Sequence, residues 1–247
     1  MRTYKIIFTL LWLAVLAGCA TSPEDLDETK DWSAERFFNE ASSALSGGDY
    51  ETAINFFEKL EARYPFGKYA QQAQLQTAYA YYKFHEPESA ISSAERFIKL
   101  HPRNAHVDYA YYLRGLASFP EEANFVEGMV GKDPSQLDPG GARRSFNYFA
   151  ELVKKYPDSK YTEDAKKRML FLRNTLAKHE VNVANFYMQR GAFVAAANRA
   201  KYVIKHYQHT PAMTDALSVL SQAYKKMDLN GLATDTERVI ELNKKTK

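Results

Sequence analysis

Apolar residues return every three to four positions along nearly the whole chain beyond Trp32. Phe37, Ala41, Ala44 and Leu45 fall at i, i+4, i+7 and i+8, a spacing that gathers side chains on one face of an α-helix. Tyr109, Tyr112, Leu113 and Leu116 make a similar face, as do Phe193, Ala197, Ala200 and Ile204, and then Ala216, Val219, Leu220 and Ala223. No stretch alternates apolar and polar residues for long enough to predict a strand. The pattern therefore predicts an all-α protein. Two adjacent glycines in "SGGD" at 46–49 predict a turn between the first two helices, and "NGLA" at 230–233 predicts the matching turn near the end.

A second, longer period lies over the first. Ala53, Phe57 and Pro65 stand four and eight residues apart, and so do Ala90, Ala94 and Pro102, and Ser145, Phe149 and Pro157. Ala196 and Ala200 repeat the first spacing, with Gln208 in the proline position. This is the second half of the tetratricopeptide pattern, in which each repeat is a pair of antiparallel helices. The small residue lets the helices approach, the next residue fills the contact, and the proline stops the helix because it lacks a backbone donor and clashes with the preceding turn. The prediction is a tetratricopeptide-repeat solenoid of five helix pairs, near 33–65, 70–102, 106–157, 161–208 and 212–245. Two repeats exceed the period of 37 residues that separates Ala53 from Ala90. The third carries a Gly- and Pro-rich insertion at 118–141 with Phe119, Phe125, Val126, Met129 and Val130 in it. Long loops in compact arrays are often functional, although these apolar residues would also pack on neighbouring helices. The fourth has neither Gly nor Pro over 161–190, so it holds one long helix or two joined near residues 178–180.

The N-terminus has a different character. Arg2 and Lys5 precede "IIFTLLWLAVL" at 6–16 and then "AGC", the layout of a secretory signal. The apolar run is too short to span a bilayer, which takes about 20 residues. Leu16-Ala17-Gly18-Cys19 resembles a bacterial lipobox, and the resemblance implies cleavage after residue 18 and acylation of Cys19; an ordinary signal that contains a cysteine would look much the same. Cys19 is the only cysteine, so no disulfide or thiol nucleophile would remain. No cofactor is expected beyond that covalent lipid. One acyl chain anchors weakly, and stable anchoring needs more than one. Ala20 after the cysteine implies sorting to the outer membrane of a Gram-negative bacterium, facing the periplasm. Residues 19–32 are expected to form a flexible tether, since Glu24, Asp25, Asp27 and Glu28 leave little to bury. Removing Arg2 and Lys5 from the 33 basic residues leaves 31 against 30 acidic ones. So even a balance carries no electrostatic footprint for nucleic acid.

Catalytic patterns are missing from the sequence. His206 and His209 form H-x-x-H at an inter-repeat turn, without the glutamate that makes a zincin helix. His85, His101, His106 and His179 are scattered singly, as expected of surface or capping residues. Neither a phosphate-binding loop nor a G-x-S-x-G is present. An enzyme is not expected.

Longer motifs are more specific. "ARYPFGKY" at 62–69, "QQAQLQTAYAYYK" at 71–83, "ERFIKLHP" at 95–102, "DYAYYLRGL" at 108–116, "DAKKRMLFLRNTLAKHE" at 164–180 and "QRGAFVAAANR" at 189–199 resemble the BamD family, the D subunit of the β-barrel assembly machinery. The resemblance covers about residues 33–240. It implies an outer-membrane lipoprotein of five tetratricopeptide repeats that binds unfolded outer-membrane proteins by a C-terminal β-signal ending in an aromatic residue. It also implies coupling to the periplasmic POTRA domains of the barrel subunit, BamA, alongside other lipoproteins of the machinery. On the matched motifs, Tyr64, Phe66, Gly67 and Tyr69 fall at the family's peptide-binding end, with Arg63, Arg96 and Lys99 in the same two repeats. Aromatic rings with nearby cations suit an aromatic side chain and a terminal carboxylate, although tyrosines between paired helices commonly pack inside and Gly67 is equally explained by a turn that needs positive φ. Arg190 and Arg199 flank "GAFVAAAN" and are the expected contacts to BamA. Arg114-Gly115 is expected to be structural, because glycine costs a helix about 1 kcal/mol relative to alanine and so suggests close packing, for example against the inserted loop. A periplasmic tetratricopeptide scaffold for peptidoglycan enzymes or cell division would share the fold and the anchor.

Overall fold

The computed structural model describes residues 28–119 and 139–245. Ten α-helices and no strand occur among them: α1 (Ala34–Gly47), α2 (Tyr50–Arg63), α3 (Lys68–Lys83), α4 (Pro87–Leu100), α5 (Val107–Ala117), α6 (Pro139–Lys155), α7 (Thr162–Gln189), α8 (Phe193–His206), α9 (Ala212–Lys226) and α10 (Asn230–Lys245). Each packs chiefly on its neighbours in sequence, as expected of stacked helix pairs. The predicted signal, Cys19, the first part of the tether and residues 120–138 of the insertion lie outside the described residues.

Local chemistry sets the helix ends. The Ser33 hydroxyl accepts from the Arg36 N–H at 3.2 Å and starts α1, while Asp49 accepts from Thr52 N–H at 3.1 Å and starts α2. Thr52, through its side chain first and its backbone N–H second, holds the Asp49 carboxyl below the usual carboxylate range. Between them Gly48 takes φ +82°, a left-handed cap that suits glycine. At the repeat boundaries the N–H groups of Tyr64, His101, Tyr156 and Tyr207 close the helices, donating to the carbonyls of Leu60, Phe97, Leu152 and Val203 at 2.7–2.8 Å. Tyr207 adopts nearly the same backbone angles as His101, although Gln208 rather than a proline follows it. Packing sets the boundary, and the prolines reinforce it.

The period of small residues becomes the core. Ala53, Ala90, Ser145 and Ala196, and the residues four further on, Phe57, Ala94, Phe149 and Ala200, have no exposed surface. Burying a Phe side chain contributes roughly 1.5–3 kcal/mol. Ser145 fits among them because its hydroxyl donates to the Gly115 carbonyl at 2.8 Å. Gly115 itself faces Phe149, so the close packing expected there is with α6. Arg114 is buried between the rings of Tyr111 and Tyr148 and pairs with Glu151 at 2.8 Å.

Two sequence expectations need correction and one alternative is decided. "NGLA" at 230–233 is the first turn of α10; the actual turn lies just before it, at Met227–Leu229, with Asp228 at φ +59°. Its glycine lies within a helix rather than at a turn. Of the two alternatives for 161–190, the single long helix holds, with 28 residues. The tether is shorter than expected, because residues 29–32 are fastened to the first repeat: Arg63 bonds the carbonyls of Thr29 and Lys30, and the Tyr64 hydroxyl donates to the Trp32 carbonyl at 2.7 Å.

The buried residues form three clusters, and α7 joins two of them. Leu172 and Leu176 belong to a core shared with α3–α6. Ala177, Val181 and Ala184 belong to the next, with α8–α10. The first cluster lies around α1–α3 and is rich in aromatic contacts around Trp32 and Phe38.

Candidate functional site

Residues from the first two repeats enclose a groove of about 500 Å³, lined by Glu58, Glu61, Ala62, Pro65, Gln74, Thr77, Ser93, Arg96 and Leu100. Helices α2, α3 and α4 supply these side chains, and the turn at 64–67 forms one end. Gly67 makes that turn possible with φ +100°, where a Cβ would be strained. Phe66 projects from the turn with 91% of its surface exposed, and Leu100 is exposed on the groove's lining.

A chain of polar contacts runs through the groove. Glu61 pairs with Arg96. Its Oε1 also accepts from the Gln74 side-chain amide at 3.0 Å. A carboxylate only accepts, so the Gln74 nitrogen must face it and the Gln74 oxygen must face the other way. That oxygen lies 2.8 Å from His101 Nε2, which therefore carries the proton. Burial lowers the His101 pKa below its ordinary value, favouring the neutral ring, which leans on Phe97. Nearby, the Tyr81 hydroxyl donates to Glu58 at 2.7 Å; burial and then this carboxylate push its pKa up to about 12.

The expected peptide-binding residues are therefore not equivalent. Arg96 lines the groove, Phe66 follows the lining residue Pro65 in the turn and points to solvent, and Lys99 is exposed on α4. Tyr64 is half-buried and tied to Trp32, and Tyr69 packs on Phe38 with its ring centroid 5.5 Å away. Arg63 is held by residues 29 and 30. Glu58, Glu61, Gln74 and His101 had no signal in the sequence, because their contacts join different helices.

In the fourth repeat Arg190 caps α7 over the ring of Phe186, 4.8 Å from its centroid. Arg199 turns to Glu180, at 2.9 Å, and Arg143 of α6 reaches the other oxygen of the same carboxylate at 2.9 Å. The Glu180 side chain is only 3% exposed, against 46% for Arg199 and 50% for Arg143. The two arginines compensate a carboxylate that burial alone would disfavour. Among the described residues no cluster of three or more His, Cys, Asp or Glu could hold a metal ion, and no helix is long and apolar enough to cross a membrane.

Comparison with known proteins settles the family. The family YfiO, described as an outer membrane lipoprotein, matches residues 30–239. The outer membrane protein assembly factor BamD of Neisseria gonorrhoeae is 44% identical over 97% of this chain and 91% of its own length. The chain belongs to the BamD family. BamD of Vibrio cholerae is 36% identical over 97% of this chain and 98% of its own length, and BamD of Haemophilus influenzae is 32% identical over 99% and 92%. The similarity to BamD thus extends over both the groove and the Glu180 cluster.

Proposed function

We propose that this chain is a non-enzymatic lipoprotein of the β-barrel assembly machinery. It is held to the periplasmic face of the outer membrane through lipid on Cys19, takes the C-terminal β-signal of unfolded barrel proteins at its first two repeats, and couples to the POTRA domains of BamA through its fourth and fifth. Membership of a family whose relatives are named outer membrane protein assembly factors supports the assembly role. For the β-signal, the observation that carries the reading is the groove beside the bare Phe66 ring. The signal's aromatic side chain would lie against Phe66, Pro65 and Leu100. Its carboxylate would compete with Glu61 for Arg96, since guanidinium pairs with carboxylate in a planar fork. Lys99 adds positive potential from the same helix. No bond is made or broken in such a task, which needs only a surface that holds an extended chain.

Depletion of the protein from its own cells, followed by quantification of the outer-membrane proteome, tests the role. General loss of β-barrel proteins with lipoproteins spared is expected. Normal barrel levels with altered cell shape would instead favour a scaffold for wall enzymes. At residue level, Arg199→Glu is expected to reduce co-purification with BamA while helical content is kept, and unchanged recovery would remove Arg199 from that interface. The anchor has its own test: radiolabelled palmitate is expected to label the wild type and not Cys19→Ser, and equal labelling of the two, or none of the wild type, would refute lipidation at Cys19.

A further inference from the structure

The groove is more acidic than a receptor for a bare terminal carboxylate should be. Its lining holds two carboxylates, Glu58 and Glu61, three residues apart on one face of α2, and a single cation, Arg96. That cation is already engaged by Glu61. Glu61 receives both Arg96 and Gln74 on one oxygen, Oε1. Glu58 receives Tyr81 on its own Oε1. Each carboxylate therefore has a second oxygen outside these bonds, and the lining carries one net negative charge. Around it stand the apolar atoms of Ala62, Pro65 and Leu100, with Phe66 beyond.

On the peptide-binding reading above, we propose that the groove selects by charge within the β-signal, preferring a chain that carries a lysine or arginine a few residues before its terminal aromatic residue. The peptide's cation lies against the spare oxygens of Glu58 and Glu61, and the aromatic ring lies on Pro65, Leu100 and Phe66. The cation also loosens the hold of Glu61 on Arg96, which frees the guanidinium for the terminal carboxylate. One peptide thus makes two exchanges that a neutral or acidic peptide cannot. Gln74 keeps Glu61 oriented throughout, because its amide is fixed from behind by His101.

The test uses the full mature chain and fluorescein-labelled twelve-residue peptides ending in phenylalanine, identical except for Lys, Gln or Glu at the fourth position from the end. Fluorescence anisotropy is expected to rank them Lys, Gln, Glu. The Lys and Glu peptides should differ by about tenfold in Kd, the size of two partly exposed charge contacts, and the difference should shrink as salt is raised. Glu58→Gln should reduce the ratio, and Glu58→Gln with Glu61→Gln, which leaves Arg96 unopposed, should abolish or reverse the preference with the helical circular dichroism unchanged. Equal affinities for the three peptides, or a ratio that survives the double substitution, would overturn the charge selection while leaving peptide binding in place. If none of the peptides binds, the β-signal reading itself fails and takes this inference with it.

Discussion

Gly115 lies so close to Phe149 that a Cβ added to it would run into the Cε1, Cδ1 and Cζ atoms of the ring. Phe149 is fully buried in the core. Overpacking of this kind costs about 1–3 kcal/mol, more than alanine gains over glycine in helix propensity. Gly115→Ala should therefore lower the melting temperature by several degrees, given about 2–4 °C per kcal/mol for a chain of this size. Gly231→Ala provides the contrast, because nothing lies within 4 Å of its added Cβ and it sits in the first turn of α10. There the same change should be neutral or raise the melting temperature slightly. Equal effects at the two glycines would mean that the Phe149 contact carries no energetic weight. The sequence already marked Gly115 as a close approach, since helical glycine is costly. What it could not supply was the partner, which lies 34 positions away across the inserted segment.

At the scale of the helix, the four-residue and eight-residue spacings were enough to place the paired helices. They report on contacts made within one pair. Contacts between pairs left no such trace, so Glu61, Gln74 and His101 were unreadable, and a glutamate in "LAKHEVN" gave no hint of being buried. Glu180 ties α7 to both α6 and α8 through Arg143 and Arg199. Removing one partner of a fully buried ion pair costs about 3–5 kcal/mol because the other charge is left dry. Here the arginines are half-exposed and can turn to water, so Glu180→Ala should cost less, about 1–2 kcal/mol, read as a lower urea midpoint. A loss of 4 kcal/mol would mean that the arginines cannot leave. His101 yields a pH effect at the same scale. Burial lowers its folded pKa below 6.5, so just below pH 6.5 the unfolded chain holds more protons than the folded one. Stability then rises with pH through that window, is complete above about 6.5 and is lost as the pH falls. The urea midpoint of the wild type should gain more between pH 5 and 7 than that of His101→Gln. Parallel profiles would show that His101 does not contribute.

The described residues form a line of helices, each packed chiefly on its neighbours in sequence. Stability in such arrays is close to a sum of local units and the interfaces between them. The cores meet along α7, whose first half serves one cluster and whose second half serves the next. The groove at α2–α4 lies on one side of the changeover between Leu176 and Ala177, whereas the Glu180 cluster bridges it, with Arg143 on α6 and Arg199 on α8. Such an arrangement lets the two ends differ in local stability. Phe57→Ala, in the N-terminal cluster, should cost about 3–5 kcal/mol locally. Hydrogen exchange measured by mass spectrometry should then speed up in α1–α3 and fall back to wild-type rates by α8–α10. Val203→Ala, in the C-terminal cluster, should do the reverse, speeding α8–α10 and leaving α1 and α2 untouched. Even in the wild type α10 should exchange fastest of the last three helices, since it rests chiefly on α9 and leaves Leu232 and Val239 exposed. If either substitution accelerates all ten helices equally, the chain unfolds as one cooperative body, and α7 transmits strain between the two cores instead of separating them.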